Sequence, residues 1–280
     1  MNFIDKHKQD FSLAIKDNEK IVFPETESNK DSNKSRVFGK LRYWWCWLAA
    51  AMLLLFAALP AMIFLLIINK RLWLYPLCLW GARTWVKACG AEVKVHGLEN
   101  LEDGRGYIFV SNHRSYLDTA TLFGHLGRRI GLVAKKELLK VPVFGQGMGF
   151  VNIIAIDRSN PEKARRTMAK AKSIVDAGYS FGVFAEGGRA MPGELLPFKK
   201  GAIHLALQTN APIIPVAIKN TDRLMGKKTG VAYPGTIEVF LLPPIETKGK
   251  SAKDDLINLM NESREAIANE LASESKKLLK

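Results

Sequence analysis

Residues 43–68 contain no charged side chain. As a helix, about 25 such residues extend roughly 37 Å, more than the ~30 Å hydrocarbon core of a bilayer. Basic residues flank the run, Lys40 and Arg42 before it and Lys70 and Arg71 after it, and Pro60 interrupts it. Residues 72–89 stay aromatic and apolar but carry Arg83 and Lys87 on a possible polar face. Trp44, Trp45, Trp47, Trp73, Tyr75, Trp80 and Trp85 are the amphipathic aromatics that an interface attracts. Two arrangements satisfy this pattern: a spanning helix followed by an interfacial one, or a helical hairpin bent at Pro60 that enters one leaflet. The hairpin is preferred because it keeps both basic flanks on one side. The polar residues 1–40, which include Pro24, read as a mostly disordered tail and lack the form of a signal peptide. The chain therefore divides into a tail (1–40), a hydrophobic helical anchor (41–89) and a folded domain (90–280).

Beyond residue 90 the period changes. Short apolar or alternating runs at 91–95, 107–110, 131–134, 152–156, 181–184, 213–218 and 237–241 predict strands. Between them, residues 161–177 predict a helix opened by Asn160 as cap and Pro161 at its first position, and 201–209 predict another. Residues 254–278 read as a charged amphipathic helix, whose last lysines either touch anionic lipid or fray into solvent. Such alternation means an α/β fold with a central sheet covered by helices.

Charge narrows the partners. The net charge is +14, yet residues 1–40 hold eight Lys/Arg against seven Asp/Glu, so the excess lies in the remainder. A basic domain points to a polyanionic partner such as an anionic membrane surface or a phosphorylated ligand. No nucleic-acid module accompanies the charge, so no nucleic-acid partner is expected. The three cysteines, Cys46, Cys78 and Cys89, form neither a disulfide framework nor a zinc motif, and no metal is expected.

The chemistry concentrates after the second strand, in Ser111-Asn112-His113-Arg114-Ser115-Tyr116-Leu117-Asp118. A histidine at a strand exit, with an aspartate five residues on, supplies a base and a carboxylate able to orient it. His96, His125 and His204 have no comparable company. Three further segments join the pair: Ala155-Ile156-Asp157-Arg158, Phe184-Ala185-Glu186-Gly187-Gly188-Arg189, and Pro212-Ile213-Ile214-Pro215-Val216. In this order, over about residues 95–242, the set resembles the glycerolipid acyltransferases, the family of the 1-acyl-glycerol-3-phosphate (lysophosphatidic acid) acyltransferases.

The resemblance implies a mixed central sheet flanked by helices behind a membrane anchor, with His113 and Asp118 catalytic. It implies that Arg114, Ser115, Lys135, Arg158, Glu186, Gly187, Gly188 and Arg189 form the acceptor site. Arg158 and Arg189, with Lys135 next, would bind phosphate through fixed cations, and Gly187 and Gly188 would admit the ligand close to the backbone. Glu186 would orient Arg189 or a glycerol hydroxyl. Backbone N–H groups of the turn at 112–115 would stabilise the oxyanion. The expected reaction moves a fatty acyl group from acyl-CoA or acyl-carrier protein, as co-substrate rather than cofactor, to lysophosphatidic acid. Its setting would be the cytoplasmic face of the inner membrane. The third segment departs from the family pattern at Ala185, Gly188 and Ala190, where Pro, Thr and Ser are usual; this leaves a different lysolipid acceptor, or a silent lipid-binding protein of the same fold, as alternatives. The glycine-rich residues 141–150 would either widen an acyl slot or form a flexible connection.

Overall fold

A computed structural model describes residues 13–15, 17–23, 33–70, 73–126, 129–134, 140, 145, 153–155 and 161–277. Its centre is a seven-stranded mixed sheet. The strands are β2 (Ala91–His96), β3 (Ile108–Ser111), β4 (Ile130–Ala134), β5 (Ile154–Ala155), β6 (Ser180–Phe184), β8 (Ile213–Lys219) and β9 (Gly235–Leu241), in the order β2-β9-β8-β3-β6-β4-β5. Strands β8, β3, β6, β4 and β5 run parallel. Strand β9 turns antiparallel to β8 and carries β2 parallel to itself. Every residue of β3 and β8 is buried, as two-sided burial of central strands requires. Each of these seven strands lies on one of the predicted runs, with ends shifted by one or two residues.

Helices cover both faces. One core packs α1 (Asn33–Leu53), α2 (Leu59–Ile67), α3 (Leu74–Ala88) and α4 (Leu117–His125) on the sheet through residues such as Leu74, Val86, Leu122 and Val239. The opposite core, around Ile108, Phe181, Ile213 and Ile267, is closed by α5 (Pro161–Asp176), α6 (Gly201–Thr209) and α8 (Leu256–Lys277), with the short α7 (Thr221–Met225) following β8.

The apolar run is one helix from Ser35 to Ile67, the one element among the described residues long and apolar enough to cross a membrane. It does not bend back at Pro60. A π turn, Leu54–Ala58, precedes that proline, which falls in the first turn of α2, where a missing N–H is tolerated. The chain reverses after Ile67, with Asn69 at φ +55°. Then α3 returns along α1: Trp85 Nε1 donates to the Cys46 carbonyl at 2.8 Å, and Trp45 Nε1 to the Ala88 carbonyl at 3.0 Å. Lys40 and Arg42 therefore stand near one end of the long helix and Lys70 just past the other. Val37, Leu41, Trp44, Leu48, Met52 and Leu55, spaced three or four apart, leave an apolar stripe facing outward.

Part of the segment expected to be disordered is built into the domain. Ile15, Ile21 and Phe23 are buried, and β1 (Ile21–Val22) pairs antiparallel with β7 (Glu194–Leu195). Arg264, fully buried on α8, donates to the carbonyls of Ala14 at 2.7 Å, Ile15 at 2.9 Å and Glu19. Asn18 exchanges hydrogen bonds with the Phe198 backbone at 2.7 and 3.0 Å. A polar composition hid this strap because its anchors are three apolar side chains and a distant arginine. Arg264→Leu should leave three carbonyls, the buried one of Ile15 among them, without their donor and cost about 1–3 kcal/mol. A lowered melting temperature, with new protease cleavage before residue 23, is the expected readout.

Candidate active site

The turn after β3 begins with Asn112, whose side-chain amide bonds both the Ile218 N–H (2.8 Å) and the Ile218 carbonyl (2.9 Å) of β8. That extra rung fixes where His113 leaves the sheet. Asp118, wholly buried in the first turn of α4, reaches back toward the same turn. Its Oδ2 accepts the Arg114 and Ser115 N–H groups, each at 2.7 Å, and lies 2.8 Å from His113 Nδ1. The five-residue spacing has a local cause: a carboxylate at a helix N-terminus is favoured by the unpaired N–H groups there, and this one gathers the turn and the imidazole onto a single oxygen. With Nδ1–H given to Asp118, Nε2 is the nitrogen left to take a proton. The ring stacks on Phe184, centroids 4.0 Å apart and planes 17° apart.

Glu186 follows β6 and meets the histidine's backbone. Its Oε1 accepts the His113 N–H at 2.6 Å and its Oε2 the Leu196 N–H at 2.7 Å, while the Ala190 N–H donates to the His113 carbonyl at 2.7 Å. Both carboxyl oxygens of Glu186 are thus engaged by backbone N–H groups, of His113 and Leu196, and not by Arg189 as expected from the sequence. Burial pushes its carboxyl up to about 7, against the lowering effect of the two N–H donors and Arg114. Gly187 has φ +68°, and a Cβ there would meet the Lys199 side chain. Around Gly188 a Cβ would find open space.

Arg114 and Ser115 do not form a ligand surface. Arg114 is buried, donating Nε–H to the Glu194 carbonyl at 2.7 Å and a terminal N–H to Asp222 at 3.2 Å. Ser115 is fully buried and donates to the Met225 carbonyl at 2.7 Å. The N–H groups of residues 113–115 are likewise committed, to Glu186 and Asp118. They are therefore not the oxyanion donors expected from the sequence. Both side chains were drawn inward by partners far along the chain; Asp222 also accepts the Gly193 N–H at 2.9 Å. Lys135 and Arg158 lie outside the described residues, as do residues 141–150 apart from Gly145. No grouping of His, Cys, Asp and Glu suited to a metal ion occurs among the described residues.

His113, Glu186 and Asp222 follow β3, β6 and β8, so the site lies at the carboxyl ends of parallel strands, where α/β sheets bind ligands. Beside it, an apolar cavity of about 310 Å³ opens between the α1–α3 helices and α4, lined by Leu54, Met62, Trp80 and Phe123 among others. Thr119 and Ala120, directly after Asp118, belong to its wall.

The raised Glu186 carboxyl has a pH consequence. It is protonated in the folded protein up to about pH 7 but ionises near pH 4.5 once unfolded. Its contribution is complete below about pH 4.5 and is lost as pH rises through 7. Glu186→Gln should flatten that decline in the denaturation midpoint. It should also cost about 1–3 kcal/mol, because an amide NH₂ cannot accept from one of the two N–H donors.

Comparison with known proteins agrees with this architecture. Residues 92–219 match the family model described as Acyltransferase. An uncharacterized acyltransferase of Schizosaccharomyces pombe is 37% identical over 181 residues, which is 64% of each protein. The 1-acyl-sn-glycerol-3-phosphate acyltransferase of Limnanthes douglasii is 35% identical over 197 residues, covering 68% of this chain and 67% of that one. The aligned stretch thus spans about two thirds of these relatives' own length. The crystal structure of the 1-acyl-sn-glycerophosphate (LPA) acyltransferase of Thermotoga maritima superposes with a TM-score of 0.69, over 84% of this chain and 96% of that one, at 24% identity. The chain belongs to the acyltransferase family that contains the 1-acyl-sn-glycerol-3-phosphate acyltransferases.

Proposed function

We propose that this protein transfers a fatty acyl group from acyl-CoA or acyl-carrier protein to the free hydroxyl of lysophosphatidic acid, giving phosphatidic acid. The observation that carries the reading is the His113–Asp118 pair, with its outward nitrogen at the carboxyl ends of the sheet and an apolar cavity beside it. The acceptor hydroxyl gives its proton to His113 Nε2 as its oxygen attacks the thioester carbonyl carbon. Asp118, hydrogen-bonded at Nδ1, holds the ring and stabilises the imidazolium. Collapse of the tetrahedral adduct breaks the carbon–sulfur bond, and the imidazolium proton goes to the leaving thiolate. A thioester is already activated, so no enzyme nucleophile is needed, in keeping with the burial of Ser115.

The cavity suits a fatty chain: its wall is apolar and includes Thr119 and Ala120, which follow Asp118 in sequence. Arg189 offers the acceptor phosphate a planar, always-charged fork, and Arg158 and Lys135 complete the cationic set. The outward apolar stripe of α1 and the excess positive charge fit a protein seated on an anionic bilayer, at the cytoplasmic face of the inner membrane. The room around Gly188 supports a second acceptor reading, a lysolipid with a larger headgroup.

Detergent-purified protein, a labelled thioester and a panel of lysolipids test the proposal. Transfer to lysophosphatidic acid should fall by about 10²- to 10⁴-fold in His113→Ala without loss of fold. Preference for a different lysolipid would keep the mechanism and change the acceptor. Absence of transfer to every acceptor by folded protein would refute the enzyme.

A further inference from the structure

The sequence puts an aromatic residue, Tyr116, between two residues whose places are fixed. Ser115 is tied to the Met225 carbonyl and Leu117 is buried, its N–H bonded to Ser115 Oγ. The Tyr116 backbone has little freedom as a result, while its ring stays substantially exposed. The Arg189 guanidinium carbon sits 3.5 Å from the centroid of that ring, the distance of a cation laid on an aromatic face. Trp47, from α1, meets the same ring edge-on, with centroids 5.0 Å apart and planes at 79°. Trp47 in turn packs edge-on against Tyr43 at 6.2 Å. Behind Arg189, Lys227 Nζ donates to the Arg189 carbonyl and the next N–H, that of Ala190, donates to His113.

We propose that Tyr116, braced by Trp47, positions Arg189 for the acceptor's phosphate. This rests on the acyl-transfer reading above and goes beyond it by assigning a task to two aromatic residues that the chemistry does not use. A free arginine side chain samples many rotamers, and holding it still for a ligand costs entropy at the moment of binding. A guanidinium is weakly hydrated over its faces and donates its N–H groups in its own plane. Stacking on a ring therefore fixes the plane without consuming donors, leaving the rim for phosphate oxygens. The ring is itself kept from turning by Trp47, so the long apolar helix supports the acceptor-binding arginine through one aromatic step.

A positioning role predicts a change in KM for the phosphorylated acceptor rather than in kcat. Tyr116→Leu should raise KM for lysophosphatidic acid on the order of tenfold, with kcat within about twofold of wild type. Tyr116→Phe, which keeps the face, should stay near wild type. Trp47→Leu should shift KM in the same direction by a smaller factor. In an Arg189→Ala background, Tyr116→Leu should add no more than about twofold, because the residue it positions is gone. Melting temperatures identify any variant that loses activity through unfolding; the Tyr116→Phe and Trp47→Leu pair then decides the matter. The assignment is overturned if Tyr116→Leu lowers kcat at unchanged KM, if it leaves both constants unaltered, or if its effect persists undiminished without Arg189. Failure of the underlying reading shows separately, as wild-type protein inert toward lysophosphatidic acid before any variant is compared. If wild type prefers another phosphorylated lysolipid, the same split in KM with that acceptor sustains the assignment.

Discussion

A carboxylate taken wholly out of water must be met by hydrogen-bond donors, or it costs several kcal/mol. Asp118 is such a group, and the geometry of the site follows from how it is satisfied. One oxygen draws in two backbone N–H groups and the imidazole, so the turn from Arg114 to Ser115 has no freedom to relax outward. The histidine's tautomer, the entry of α4 and the register of the turn against β3 are consequences of that single atom. This also explains why the motif demands a fixed spacing: a shorter or longer turn would present its N–H groups to empty space.

The turn is then held from outside by segments far away in sequence. Asn112 joins it to β8, Glu186 holds its backbone from the loop after β6, and Asp222 restrains Arg114 from beyond β8. Each of these groups is polar and buried. Members of such a network support one another, so removing one weakens the rest. The parallel strands make the arrangement possible by delivering three loops to one edge of the sheet.

The strands and the contact between His113 and Asp118 were legible in the sequence because their signals are local: strand-like runs of four to six residues, and a carboxylate five residues beyond its histidine. What was not legible depended on distance. Nothing near Arg114 announces Asp222, and nothing near Ser115 announces the Met225 carbonyl, so both side chains looked available for ligand when they are spent on the scaffold. The partners of Glu186 were hidden for the same reason, since they are the backbone N–H groups of His113 and the distant Leu196 rather than a side chain. Pro60 misled differently: it reads as a bend, but a proline in the first turn after a π turn continues the helix.

The strap at residues 13–23 has a topological consequence. It precedes the long helix and is pinned by Arg264 and by β7 to the same domain that follows α3. The chain on either side of the hairpin therefore belongs to one body. Whatever depth of lipid the helices reach, the polypeptide leaves by the side it entered, and a single crossing that separated the two ends would have to tear the strap from β7 and from Arg264. The hairpin is thus a loop thrown outward and retrieved, and the fold itself fixes the parity of its crossings.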